Sequence, residues 1–246
     1  QVTSGDGIRY GTAIGCAGRH LTKYISGDVL DTAFASMDLH AESWGFELED
    51  CRVFNTMHWD GGAEECFGFS TRARNTRFIN CRFASAMTQA VPGGGTWFES
   101  YYGSVATGIR VMANDCYIKD FYQDKGWRGI WMRPDIISTG FAPQRTKIES
   151  STFENITGPA IYQQESDTDQ CNGTEILYNT IRNCGARYAV GGTPSFPGAA
   201  VRLRRGTGHK IRFNNIDKTN NYYSFDLDTR AITDADMYGN VLRGYG

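Results

Sequence analysis

Seven stretches of this chain follow one six-residue template: an apolar residue, two variable residues, a small or amide residue, one variable residue and a second apolar residue. They run 48–53, 78–83, 113–118, 148–153, 176–181, 211–216 and, degenerate at its first position, 236–241. The small-residue column reads Cys51, Cys81, Cys116, Ser151, Asn179, Asn214 and Gly239, with intervals of 30, 35, 35, 28, 35 and 25 residues. Helical repeats do not fit, because the shared segment is only six residues long and alternates with a period near two. The β-branched and aromatic residues, punctuated by Asn, Asp and Gly, predict short strands joined by turns. A second strand is predicted after most units, at 67–69, 130–132, 161–163, 201–203 and 225–227. Two or three strands per repeat, stacked rung on rung, predict an all-β solenoid of parallel strands.

The amides of the small-residue column have a physical role. A tight turn facing the interior leaves backbone groups in need of partners, and stacked side-chain amides supply them. Asp50, Asn80 and Asp115 stand one residue earlier and are alternative occupants of a left-handed turn, so the register is open by one residue. The pattern, followed by glycine and an alternating apolar pair, resembles the right-handed parallel β-helix of pectin-lyase-like proteins, an architecture shared by bacteriophage tailspikes and polysaccharide depolymerases. The resemblance covers residues 46–246 and implies one continuous β-helix of about seven to eight rungs, with 1–45 as a lead-in rung or cap. It also implies a carbohydrate-handling protein, homotrimeric and extracellular or virion-associated. The motif is a packing motif and carries no catalytic residue, so activity rests on fold-level analogy. The last repeat stops without a cap, which suits one part of something longer or trimeric.

Composition narrows the partners. Lys and Arg total 25 against 27 Asp and Glu, a formal charge of −2, and no basic block stands out, which argues against duplex nucleic acid. No apolar run approaches the ~20 residues of a membrane span. The seven cysteines show no CxxC spacing, and the four histidines are scattered, so no metal or other cofactor is expected. Asp167–Asn172 hints at a calcium loop, but Cys171 occupies the third ligand position. Cys51, Cys81 and Cys116 in one column would lie about one strand spacing (~4.8 Å) apart with parallel Cβ directions, favouring stacked thiols over a disulfide.

Aligning the second strands yields the candidate site. With Ile130, Ile161, Val201 and Phe225 inward, one outward row is Trp131, Tyr162, Arg202 and Asp226, and the next is Arg133, Gln164, Arg204 and Asp228, with Glu165 beside it. Aromatic faces suit sugar rings, and forked guanidinium donors suit carboxylates. Trp127 adds either a sugar subsite or a core plug. Glu165 lies two rungs from Asp226 and Asp228, a separation of ~9–10 Å that approaches the carboxylate gap of an inverting glycosidase. These three are the candidate catalytic residues, with Trp127, Trp131, Arg133, Tyr162, Gln164, Arg202 and Arg204 as candidate binding residues. The expectation is a protein that binds and depolymerises an acidic polysaccharide, with hydrolysis slightly favoured over β-elimination. A non-catalytic receptor-binding or fibre segment is the alternative, and an ordinary solvated β face would carry a similar mixture of side chains.

Overall fold

The computed structural model describes residues 2–4, 9–19, 22–23, 34–39, 43–54, 57–58, 66–84, 106–126, 128–133, 143–156, 158–163, 170–185, 188–190, 193–196, 199–218, 223–227 and 232–244. Three parallel sheets of eight strands each, here A, B and C, are visited in the same order on every circuit. The first rung is Val2–Ser4, Arg9–Ile14 and Ala17–Arg19; the eighth is Tyr223–Leu227, Ile232–Tyr238 and Val241–Gly244. The chain is therefore an all-β parallel β-helix, and strands within 1–45 belong to its first two rungs.

Each sheet sends apolar side chains into the interior in rows that match from rung to rung. In sheet B the row is Leu48, Phe78, Ile118, Ile148, Ile176 and Ile211, in direct register from rung to rung and essentially inaccessible. Sheet A contributes Met37, Phe69, Ile109, Ile130, Ile161 and Val201 in the same way. At about 1.5–3 kcal/mol for each fully buried large apolar side chain, these rows supply the driving force for stacking.

The corner between sheets B and C resolves the register. Gly15, Asp50, Asn80, Asp120, Ser150, Tyr178, Phe213 and Gly239 all sit there with φ between 49° and 66°. Aspartate, asparagine and glycine suit that left-handed turn, while Tyr178 and Phe213 adopt it at a steric cost. The residue after each one belongs to a single stacked column: Cys16, Cys51, Cys81, Phe121, Ser151, Asn179, Asn214 and Asn240, linked by backbone hydrogen bonds of 2.7–3.0 Å from rung to rung.

Two assignments of the six-residue template are corrected here. Cys116 follows Asp115 (φ 61°) at the other end of its sheet B strand and stacks with Thr76 and Thr146, not with Cys51 and Cys81. The true third thiol of the ladder is Cys16, and Phe121 holds the position assigned to Cys116. Gly239 takes the left-handed turn, and Asn240 takes the ladder position. The confusion has a structural cause: both ends of the sheet B strand carry a left-handed residue followed by a buried one.

Thiols and amides perform one task along this ladder. Each donates to the carbonyl of the inner sheet B residue one rung earlier: Cys51 Sγ to Ala13 at 3.3 Å, Cys81 Sγ to Leu48 at 3.2 Å, Asn179 Nδ2 to Ile148 at 3.0 Å, Asn214 Nδ2 to Ile176 at 2.8 Å and Asn240 Nδ2 to Ile211 at 2.7 Å. The amides do more, because their oxygens also accept from the preceding rung. Asn214 Oδ1 accepts from the Asn179 backbone N–H at 2.9 Å and from its side chain at 3.0 Å.

Candidate functional site

The outer face of sheet A holds the sequence-predicted row. Trp131, Tyr162, Arg202 and Asp226 are direct register partners on four successive rungs, and the row continues backwards through Arg110, Ser70 and Asp38. Arg133 and Arg204 lie just past the ends of their strands, in the adjacent row, which begins with Arg72. Trp127, Gln164, Glu165 and Asp228 lie outside the described residues, as do Asp167 and Asp169 of the calcium-like stretch. The carboxylate spacing between Glu165 and Asp226 or Asp228 is therefore not part of the described geometry.

A second outward row, Phe67, Thr107 and Arg128, was not legible from strict alternation. Its cause is a glycine column. Gly68, Gly108 and Gly129 turn toward the interior, where a Cβ would lie 2.5 Å from the Phe83 ring, 2.0 Å from Gln123 Oε1 and 2.1 Å from the Ala160 carbonyl, respectively. The next residue of each strand also faces in, so two consecutive positions point inward and the residue before the glycine is thrown outward. Glycine is required where backbone and core approach this closely.

These outward side chains form a layer of their own. The Phe67 and Trp131 ring centroids are 5.7 Å apart, and Phe67, Trp131 and Tyr162 make a cluster separate from the main core. Guanidinium groups cover the rings: Arg110 lies 4.2 Å from the Phe67 centroid, and Arg128 lies 4.3 Å from Trp131 and 5.2 Å from Tyr162. Arg133 lies 5.2 Å from Trp131 and Arg202 lies 5.8 Å from Tyr162. Asp226 Oδ2 is 3.0 Å from Arg202 Nε and 3.8 Å from Arg204 Nη2, and Arg110 Nε donates to Ser70 Oγ at 2.9 Å. Trp131, Tyr162 and Arg202 are only 3%, 7% and 4% exposed, so this is no ordinary solvated β face. Among the described residues of these rows, six arginines (72, 110, 128, 133, 202 and 204) face two aspartates, Asp38 and Asp226. Several buried side-chain nitrogens and oxygens on this face have no hydrogen-bond partner, and two of them, Trp131 Nε1 and Thr107 Oγ1, belong to neutral side chains.

Sheet B presents a different outer face, which contributed nothing to the sequence-derived site. Tyr117 donates its hydroxyl to Glu149, Lys147 Nζ lies 3.1 Å from Glu149 Oε2, and Arg77 and Lys147 stand over the Tyr117 ring at 5.8 and 5.3 Å. Partial burial, then the bond to Glu149, pushes the Tyr117 hydroxyl up to about 12. The same hydroxyl, aided by Lys147, holds the Glu149 carboxyl below its usual range. Arg77 pairs with Glu47 at 2.9 Å beside an open hollow of about 350 Å³ lined by Gly11, Thr12, Gly45, Phe46 and Asn75. Along the neighbouring corner Tyr178 stacks on Phe213 at 5.1 Å, and Tyr238 meets Phe213 edge-on at 5.5 Å, all three rings exposed. The only sequence signal for this face was the alternation of charge between successive repeats.

Among the described residues no group of three or more His, Cys, Asp or Glu side chains is placed to hold a metal ion. Compared with known proteins, the chain matches no family model, no curated protein and no solved structure. What the chain shows of the expected resemblance is the parallel β-helix itself.

Proposed function

We propose that the protein is a carbohydrate-active β-helix, tailspike-like in use, that recognises an acidic polysaccharide along the outer face of sheet A. One observation carries this reading: six described arginines, interleaved with Phe67, Trp131 and Tyr162, run along one face of a rigid scaffold against two carboxylates. Guanidinium groups neutralise and grip carboxylate or sulfate, and the buried aromatic rings beneath them hold those groups in place. The half-buried row of Arg72, Arg133 and Arg204 is the accessible edge for a chain, with the more deeply buried row behind it as support.

Two chemistries follow from the same face. Hydrolysis would use one carboxyl of the sequence-predicted set Glu165, Asp226 and Asp228 as acid and another as base. The engagement of Asp226 by Arg202 and Arg204 favours the second reading, binding without cleavage by a receptor-binding or fibre segment. In a homotrimer on a virion or outside the cell, either role is served without a cofactor.

A panel of acidic and neutral polysaccharides tests this directly. Saturable binding of acidic chains and no binding of neutral ones is expected, unchanged by a chelator. New reducing ends would add hydrolysis, and ultraviolet absorbance from unsaturated uronate ends would replace it with elimination. Equal binding of neutral and acidic chains would end the proposal. Light scattering that returns a monomer would remove the trimeric part of it.

A further inference from the structure

Among the buried polar atoms that lack a hydrogen-bond partner on the face of sheet A, two are donors of neutral side chains. Trp131 Nε1 and Thr107 Oγ1 are in residues 3% and 0% exposed, and neither has a hydrogen-bond partner. Leaving such a group unsatisfied costs about 1–3 kcal/mol, so native folds seldom keep two of them on adjacent strands without a use. Both are hydrogen-bond donors, and the indole N–H can only donate. Thr107 pairs in register with Arg128, and Arg110 with Trp131, so the two donors lie on strands Ala106–Val111 and Arg128–Met132, one rung apart. Arg128 links them: its backbone is beside Thr107 and its guanidinium lies over the Trp131 ring at 4.3 Å. Arg110 and Arg133 flank the same patch, over Phe67 and Trp131. Two donors awaiting acceptors among three cations describe a seat for an oxyanion.

We infer that rungs four and five hold a built anion seat, in which one carboxylate or sulfate group accepts from Trp131 Nε1–H and Thr107 Oγ1–H within the field of Arg128, Arg110 and Arg133. With Trp131 3% and Thr107 0% exposed, the seat would take one charged group and not a run of sugar rings. The seat therefore anchors one acidic substituent while the rest of the chain lies along the more open row. The source of that group rests on the polysaccharide reading above; the seat itself does not.

The test uses the intact protein with sodium glucuronate and sodium sulfate as free anions, sodium chloride at matched ionic strength as control, and hyaluronan and polygalacturonate as polyanions. The readouts are the indole N–H resonances in a ¹⁵N–¹H spectrum and isothermal titration. Glucuronate or sulfate, but not chloride, is expected to move one indole resonance downfield with saturation. Trp131→Phe keeps the ring and removes the donor; Thr107→Val keeps the shape and removes the hydroxyl. Each is expected to weaken anion binding about tenfold, the scale of one hydrogen bond to a charged group. The indole measurement on unaltered protein keeps the test valid if a variant fails to fold. Free anions binding while both polyanions fail would leave the seat standing and overturn the polysaccharide reading. Polyanions binding equally well to both variants would overturn the seat and leave that reading intact. No anion-specific change in any arm would overturn both.

Discussion

The outer faces of sheets A and B are built on the same strand lattice from the same kinds of charged residue, yet they use charge in opposite ways. On sheet B the Arg77–Glu47 and Lys210–Glu175 pairs are water-exposed, with 51% and 47% of the basic side chains accessible. On sheet A the Arg202 side chain is 5% accessible beside Asp226, and its neighbours are rings. Burial decides the difference. An exposed pair is screened and contributes little, whereas a buried guanidinium must have a carboxylate or an aromatic face to offset its lost hydration. Counting charges along the repeats separates the two faces by sign, arginine-rich against mixed, but not by burial.

The largest effect should come from removing an aromatic member of the closed face. Trp131→Ala is expected to cost about 3–5 kcal/mol in urea unfolding, the range for a buried aromatic, while Tyr178→Ala on the exposed corner should stay under about 1 kcal/mol. Similar costs at the two positions would mean that the face of sheet A is not a packed layer. Next comes the matched pair of ion-pair deletions. Arg202→Ala should cost about 2–4 kcal/mol, because it leaves a largely buried carboxylate with Arg204 as its one cation among the described residues, and Lys210→Ala less than about 1 kcal/mol. The reverse order would break the comparison.

Salt sharpens it further. At roughly 1 M salt the screening length falls to about 3 Å, so the small cost of Lys210→Ala should vanish while that of Arg202→Ala persists. The smallest effect concerns pH on the open face. Because the Glu149 carboxyl is held below its usual range by Tyr117 and then Lys147, its stabilisation is complete above that range. It is lost as acid carries the pH down through the lowered folded value. Tyr117→Phe should raise the Glu149 titration midpoint toward the ordinary carboxylate value and cost under about 1 kcal/mol at neutral pH. A carboxyl resonance for Glu149 that already titrates at the ordinary value in the unaltered protein would contradict the assigned network.

Much of the scaffold was readable in the residues. The columns through Leu48, Phe78, Ile148, Ile176 and Ile211 stack as the six-residue template required, because inward positions of a solenoid must match from rung to rung to bury their area. The row from Trp131 to Asp226 was legible for the same reason: once an inward neighbour is known, period-two alternation dictates what faces out. Alternation failed at Phe67, Thr107 and Arg128, where an inward glycine interrupts the period. A signal existed, since glycine precedes the inward residue on three successive rungs at Gly68, Gly108 and Gly129. Cys116 was misplaced because a phenylalanine, Phe121, occupies a ladder position that elsewhere holds a thiol, hydroxyl or amide.

The periodicity and the turn residues by themselves determined a parallel β-helix and the order of residues along its faces, because strand geometry makes both a matter of local spacing. Only the tertiary structure decided which face is closed and which is open. It also brought Arg128 over Trp131 and left the neutral donors Trp131 Nε1 and Thr107 Oγ1 without acceptors. Accessibility and ring-to-cation distance depend on how separate rungs and their surroundings come together, and no spacing within one repeat encodes that.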